Sequence, residues 1–149
     1  MQGLKKEFPP LLPPGFHEIP LEEYDDKFVL PFNSPDRRKF LLDRYREFIE
    51  ILKSFGVSIE LWIDGSFLTE KIDPDDIDIV CFLPVNVLST EAKNTLSMLR
   101  KESKVRFSCH FFIAPLGDQK AASGWEKDYG FSRRKEPKGI AVIKVNSHE

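Results

Sequence analysis

Hydrophobic positions along the chain fall into blocks with two different periods. Phe40, Leu41, Tyr45, Phe48, Ile49, Leu52 and Phe55 recur at spacings of three and four, which is one face of a helix. Ser34-Pro35-Asp36 precedes that block with a capping hydroxyl, a proline suited to the first helical position and an acid at the positive end of the dipole. Gly56 ends it. The period then drops to two: Val57, Ile59, Leu61 and Ile63 alternate within 57–67, a half-buried strand that runs into a tight turn at Gly65. A second strand is predicted over Asp76–Leu83, with Ile77, Ile79 and Cys81 on one face and Asp76, Asp78 and Val80 on the other. Leu88, Ala92, Leu96 and Leu99 mark a helix from Asn86 to about Ser103. Lys104–Ala114, rich in β-branched and aromatic residues, predicts a third strand. Gly117–Tyr129 predicts a short, weakly amphipathic helix carrying Trp125, and Gly139–Val145 alternates as a closing strand. With no internal repeat, this order predicts an α/β (α+β) domain, a mixed sheet of about four to five strands with helices packed against it.

The segment ahead of the first helix has a different texture. Pro9, Pro10, Pro13, Pro14, Pro20 and Pro31 fall within residues 1–33. Proline fixes φ and removes a donor, so this arm is expected to be extended, with at most a short helical turn near Leu21–Lys27. It also carries Phe8, Leu11, Leu12, Phe16 and Phe28, too many apolar groups for a free tail. The expectation is an arm lying across the surface of a domain that spans 34–149; a disordered leader is the alternative.

Composition narrows the classes. A chain of 149 residues with 41% hydrophobic content and 13 phenylalanines is long enough and apolar enough to bury a real core. Its 22 basic and 24 acidic residues leave a net charge of −2, which argues against coating nucleic acid by bulk charge and leaves room for a local basic patch. Cys81, Cys109, His17, His110 and His148 follow no zinc spacing, and two thiols make no disulfide framework. A reducing, cytoplasmic compartment is the simpler expectation. The start, Met1–Glu7, is charged and no apolar run follows it, so no signal peptide is expected. No stretch approaches the ~20 apolar residues needed to span a bilayer.

The chemistry-bearing stretch is Leu61-Trp62-Ile63-Asp64-Gly65-Ser66, then nine residues, then Asp76-Ile77-Asp78-Ile79-Val80. A strand ends in a glycine, whose missing Cβ lets a phosphate approach the backbone. Ser66 adds a hydroxyl, and the amides after it can point at an anion. Asp76 and Asp78 are two apart, so both carboxylates leave the same face of the returning strand. Two adjacent carboxylates stay ionised cheaply only with a cation between them. A hard divalent ion, Mg²⁺ or Mn²⁺, suits them and brings phosphate oxygens as further ligands.

At these residues the chain resembles the DNA polymerase beta-type nucleotidyltransferase superfamily, and within it the minimal bacterial branch of small single-domain proteins. The resemblance to the superfamily covers about Val57 to Ala114. A wider frame resembles an uncharacterised nucleotidyltransferase-like bacterial family over most of the chain: Pro13-Pro14-Gly15, Ile63-Asp64-Gly65-Ser66-Phe67, and Arg133-Arg134 with Pro137-Lys138-Gly139. The resemblance implies a nucleotidyltransferase fold, with Gly65 and Ser66 contacting an NTP and with Asp76 and Asp78 binding the catalytic metal. Active members of the superfamily usually carry a third carboxylate on the next strand. Here that strand is Phe107-Ser108-Cys109-His110-Phe111-Phe112, without an acid. By alternation Arg106, Ser108, His110 and Phe112 share a face, which makes His110 the occupant of the third position, able to ligate a metal or accept a proton. Minimal members also commonly place a basic residue after Gly-Ser, where this chain has Phe67.

Ser132-Arg133-Arg134-Lys135-Glu136-Pro137-Lys138-Gly139 is a basic loop whose Arg133, Arg134 and Lys138 suit a triphosphate or nucleic acid; a solvated turn explains it equally well. Asp73-Pro74-Asp75-Asp76-Ile77-Asp78 fails as a calcium loop, because Asp78 stands where glycine is required. Asp64 is either a supporting group or a turn residue. Trp62 and Trp125 suit base stacking but serve more often as core.

The leading expectation is thus a metal-dependent transfer of a nucleoside monophosphate from an NTP to a hydroxyl of a protein, nucleic acid or small molecule. The rival is a weakly active or inactive module that acts through a partner protein, as the antitoxins of toxin–antitoxin pairs do among small members of the superfamily. The absent third acid fits the rival. A pure nucleic-acid-binding role is not favoured, given the net charge, and no membrane partner is expected.

Overall fold

The structure is a computed structural model that describes residues 7–132 and 135–146. The period-two segments become strands of one sheet. They are β1 (Gly15–Glu18), β2 (Ile59–Asp64), β3 (Ile77–Leu83), β4 (Cys109–Pro115) and β5 (Gly139–Val145). Their spatial order is β1-β5-β2-β3-β4. β2 runs antiparallel to both β3 and β5, while β1 with β5 and β3 with β4 are parallel pairs. This is a mixed five-stranded sheet with helices packed on it, an α+β architecture. Among the described residues, no helix is long and apolar enough to cross a membrane.

The helices α1 (Tyr24–Phe28), α2 (Asp36–Lys53) and α3 (Thr90–Phe107) bury their apolar stripes in the larger of two clusters. From α2 come Leu41, Leu42, Tyr45, Phe48, Ile49 and Leu52, and from the sheet Leu61, Ile63, Ile77, Ile79, Cys81 and Leu83. Phe48 meets Phe107 and Phe111 edge to face, which locks α2 to α3 and β4. The fourth helix, α4 (Gln119–Tyr129), covers the opposite face over Trp62, Val80, Phe82, Ala114, Ile140 and Val142. Asp118 caps it, its carboxylate accepting from the Lys120 and Ala121 amides.

Several local expectations are corrected. Helix α2 starts at Asp36 with Pro35 as its cap, and Ser34 makes no capping bond. Phe40 lies exposed, and Leu42 takes its place on the buried stripe. Helix α3 begins at Thr90, capped by the Ser89 hydroxyl on the Ala92 amide, and runs on to Phe107. The predicted strand over Lys104–Ala114 is therefore helix for its first four residues, and β4 begins at Cys109. Leu96, Leu99, Ser103 and Phe107 continue the helical stripe, while Val105 is 89% exposed on the outer side. Arg106 consequently stands on a helix, and Ser108 closes it with a left-handed φ of 52°. Neither shares a strand face with His110.

The proline-rich segment is built into the fold. Its residues 15–18 form the edge strand β1, and Tyr24 and Phe28 are buried in the core beside Tyr45 and Phe67. Leu21–Glu23 form a 3₁₀ turn leading into α1.

Candidate functional site

Three polar side chains form a row across the α4-covered face, at the edge where β2 ends and β3, β4 and β5 begin. Asp64 is opposite Asp78 across β2 and β3, and Asp78 is opposite His110 across β3 and β4. Directly opposed residues carry their side chains on the same face. His110 Nδ1 lies 3.6 Å from Asp78 Oδ1, with the two side chains 52% and 31% exposed. The imidazole rests against Phe112, ring centroids 4.5 Å apart. His110 is thus placed beside the acid and open to solvent.

Gly65 belongs to the same spot. Its φ is +90°, and a Cβ there would stand 2.6 Å from Asp78 Oδ2. The carboxylate lies against bare backbone that no side chain could share. Ser66 opens a 3₁₀ turn, Ser66–Leu68, and its carbonyl accepts from the amide and hydroxyl of Thr69. Asp76 precedes β3 directly and is half-buried.

Asp64 is the member that sequence reasoning undervalued. Its residue is only 3% exposed. Its Oδ2 accepts from Lys138 Nζ at 2.8 Å, while Oδ1 is buried with no hydrogen-bond partner. Burial pushes its pKa up to about 6; the Lys138 ammonium and the Gly65 amide pull the other way, and Asp78 adds to the rise. Lys138, expected at a phosphate, is therefore engaged with a carboxylate, and its side chain is 18% exposed. Strand alternation carried the missing signal: Asp64 shares a face with Trp62 and falls opposite Asp78 once the two strands pair.

Tyr129, at the end of α4, was also unforeseen. It is buried, and its hydroxyl has no hydrogen-bond partner. Burial and then the nearby carboxylates, Asp78 and Asp64 foremost, raise its pKa well above the usual phenol value.

Two adjacent arginines of α2 hold the loops that deliver these groups. Arg38 is fully buried, and its guanidinium donates to the carbonyls of Phe28, Phe67, Thr69 and Lys71, with a longer contact to Ser66. It lies 3.7 Å from the centroid of the Phe32 ring. Among the described residues no carboxylate pairs with it, and burial lowers its pKa to about 10. Because it gathers the carbonyls of the turn after Gly65 toward the core, it fixes that turn's orientation. Arg37 donates to the carbonyls of Pro74 and Asp75, just ahead of Asp76. No sequence pattern announces either role, since arginine on a helix ordinarily faces solvent.

Arg133 and Arg134 lie outside the described residues. Around them Phe131 bridges Pro137, and the Lys138 amide donates to the Gly130 carbonyl. A cleft of about 140 Å³ opens beside Lys138, lined also by Phe16, Phe131, Pro137 and Ile140. A larger open groove, about 510 Å³, follows Lys120, Gly124 and Asp128 on α4 and includes none of the row. Among the described residues, no three carboxylate, imidazole or thiol groups gather as a ready-made metal cage. Trp62 and Trp125 serve the smaller core cluster, Trp62 against Phe16 and Phe82, Trp125 against Phe112 and Tyr129.

Fold and site together define a mixed α+β domain with an acid–acid–imidazole row on one edge of its sheet. Residues 6–144 match the model described as "Family of unknown function (DUF6932)", and the chain belongs to that family. No match was found among curated proteins or among solved structures.

Proposed function

We propose that this chain is a metal-dependent nucleotidyltransferase of the DNA polymerase beta type, which moves a nucleoside monophosphate from an NTP to a hydroxyl of a protein, nucleic acid or small molecule. The observation that carries the reading is Gly65: a left-handed glycine set against the Asp78 carboxylate brings a phosphate-accessible backbone and a metal-binding acid to one point. The succession of β2, the Gly65-Ser66 turn, Asp76, β3 with Asp78, α3 and β4 agrees with it.

The donor set supports Mg²⁺ or Mn²⁺. Mg²⁺ is usually bound by one or two carboxylates and completes its shell with water and phosphate oxygens. Asp76 and Asp78, two residues apart at the start of β3, offer the two carboxylates of that habit. Bound there, the ion would supply positive charge to offset the charge developing on the transferring phosphoryl group.

The chain's own residues divide the remaining work. Gly65 admits the phosphates close to the backbone, and Ser66 offers a hydroxyl to them. Arg133 and Arg134 are the basic groups assigned to the triphosphate, while Lys138 holds Asp64. His110, exposed beside Asp78, takes the proton of the acceptor hydroxyl as its oxygen bonds to the α-phosphorus and the bond to pyrophosphate breaks. Arg37 and Arg38 keep the two loops in register, so that the groups are positioned before substrate arrives.

A second reading, a regulatory or antitoxin-type module that works through a partner protein, is favoured by Lys138 on Asp64 and by His110 in place of an acid. One titration separates the two. Each NTP with Mg²⁺ or Mn²⁺ is added to the wild type and to an Asp76→Ala/Asp78→Ala variant, followed by melting temperature and calorimetry. The enzyme reading expects a metal-dependent rise in Tm that the variant loses. No response to any NTP would sink it and leave the partner-acting module.

A further inference from the structure

The two edges of the sheet are defended differently, and we infer that the undefended one, β4, is where two copies of this chain pair to continue the sheet. An edge strand offers unpaired N–H and C=O groups to any strand that can lie beside it, and proteins blunt such edges with prolines, charges and short strands. β1 is blunted in that way: it is four residues long, lies between Pro13-Pro14 and Pro20, and its Glu18 pairs with Lys144. β4 runs for seven residues with no acid, lysine or arginine, and its one proline is the last residue. Among the described residues no strand lies beyond it. His110 is exposed, and Phe111, Phe112 and Ile113 are half-buried.

The hydrogen bonds to β3 show which groups are left over. The Ile77 amide donates to the Ser108 carbonyl, and the Leu116 amide donates to the Leu83 carbonyl. With Ile77 in register with Cys109, the even-numbered residues of β4 turn their backbone groups toward β3. The N–H and C=O of Phe111 and Ile113 therefore point away from the sheet. An antiparallel second copy centred on Phe112 sets Phe111 against Ile113 of the second copy, and Ile113 against its Phe111. Each of these pairs exchanges both bonds. That is the self-complementary pattern a two-fold axis requires.

The side chains agree with the backbone. Phe112 meets its own copy, an aromatic pair of the kind that stabilises sheets, and Phe111 meets Ile113 on the other face. His110 falls opposite Ala114 of the second copy, so no two imidazoles are opposed. A second copy satisfies all these positions at once, which favours it over an unrelated peptide. Pro115 lacks an N–H and ends the ladder, so the contact is small and the association weak and concentration-dependent. The inference rests on the edge alone and is independent of the nucleotidyltransferase reading.

Sedimentation equilibrium of the wild type is expected to show its mass doubling as concentration rises. Amide exchange followed residue by residue then locates the contact. Phe111 and Ile113 should exchange about tenfold more slowly in the concentrated sample than in the dilute one, while Phe112 and Ala114, already bonded to β3, change less. Because Phe112 opposes itself, Phe112→Lys sets two ammonium groups against each other and Phe112→Glu two carboxylates. Each variant alone should be monomeric, and an equimolar mixture should recover the dimer, which a merely weakened strand would not do. A wild type that stays monomeric up to about 1 mM overturns the inference and leaves the edge to an extended segment of another protein. A dimer in which Phe111 and Ile113 exchange as fast as in the dilute chain overturns it too, because its contact lies elsewhere. So does a mixture of folded variants that stays monomeric. Should either variant fail to fold, the exchange pattern of the wild type decides alone.

Discussion

The two faces of the sheet are built for different ends. Toward α2 and α3 the strands present an unbroken apolar surface, from Ile59, Leu61 and Ile63 through Ile77, Ile79 and Cys81, all buried. Toward α4 the same strands begin alike, with Trp62, Val80 and Phe82, and then change at one edge to Asp64, Asp78 and His110. The first face answers to burial of apolar area, the dominant favourable force in folding. The second gives up part of that area to polar groups, among them a buried acid that burial alone disfavours. That acid stands at the edge where three strands begin, the edge to which the proposed chemistry is assigned.

The comparison can be broken most severely where one face supports the other, at Arg38. Replacing it with Met strands the carbonyls of Phe28, Phe67, Thr69 and Lys71. A loss of about 4 kcal/mol is expected in urea denaturation, from the cost of orphaned buried acceptors. A loss below about 1 kcal/mol would mean that water reaches those carbonyls and that the arginine is dispensable. Smaller in stability but aimed at the polar edge, Gly65→Ala forces a side chain into a φ of +90° and against Asp78. It should cost roughly 2 kcal/mol and abolish the response to metal and NTP. An alanine variant that still responds would disconnect the glycine from the site.

The last effect sharpens the contrast through pH. The Asp64 carboxyl is raised from 3.8 to about 6 in the folded protein, chiefly by burial. Between those values the unfolded chain releases a proton that the folded chain retains, so this group's contribution to stability is full below the lower value and falls as pH rises toward the upper. Between pH 4 and pH 6 the change is about 2 kcal/mol. Ordinary salt-bridged carboxylates act in the opposite direction. On going from pH 4 to pH 6 the Asp64→Asn variant should therefore lose less stability, or gain more, than the wild type, read from denaturation midpoints. An unchanged pH slope would show that Asp64 is not the buried acid responsible.

The sequence made the central strands and the turn legible because alternation there is strong and Gly65 interrupts it. β2, β3, β5 and α4 follow the predicted segments closely, and Asp78 with His110 come together as strand pairing requires. The end of α3 was not legible: Val105 and Phe107 look like strand residues, and their helical role appears only with Leu99 and Ser103 on the same stripe. Nor does a glycine mark that end, since Ser108 adopts the left-handed turn itself. The roles of Arg38 and Lys138 were hidden for another reason. Each acts on residues far away in the chain, and a single sequence carries no register for contacts of that range.

The pairing of β1 with β5 joins Gly15 to Gly139. A contact between positions so remote closes a long loop, and it can form only after nearly all the intervening chain exists. During synthesis, the central pair β2 and β3 can fold well before β5 has left the ribosome. Lys138, immediately ahead of β5, comes into position with that last step. The acidic edge is thus completed later than the strands that carry its aspartates, and a nascent chain holds the two opposed acids for a time without their lysine.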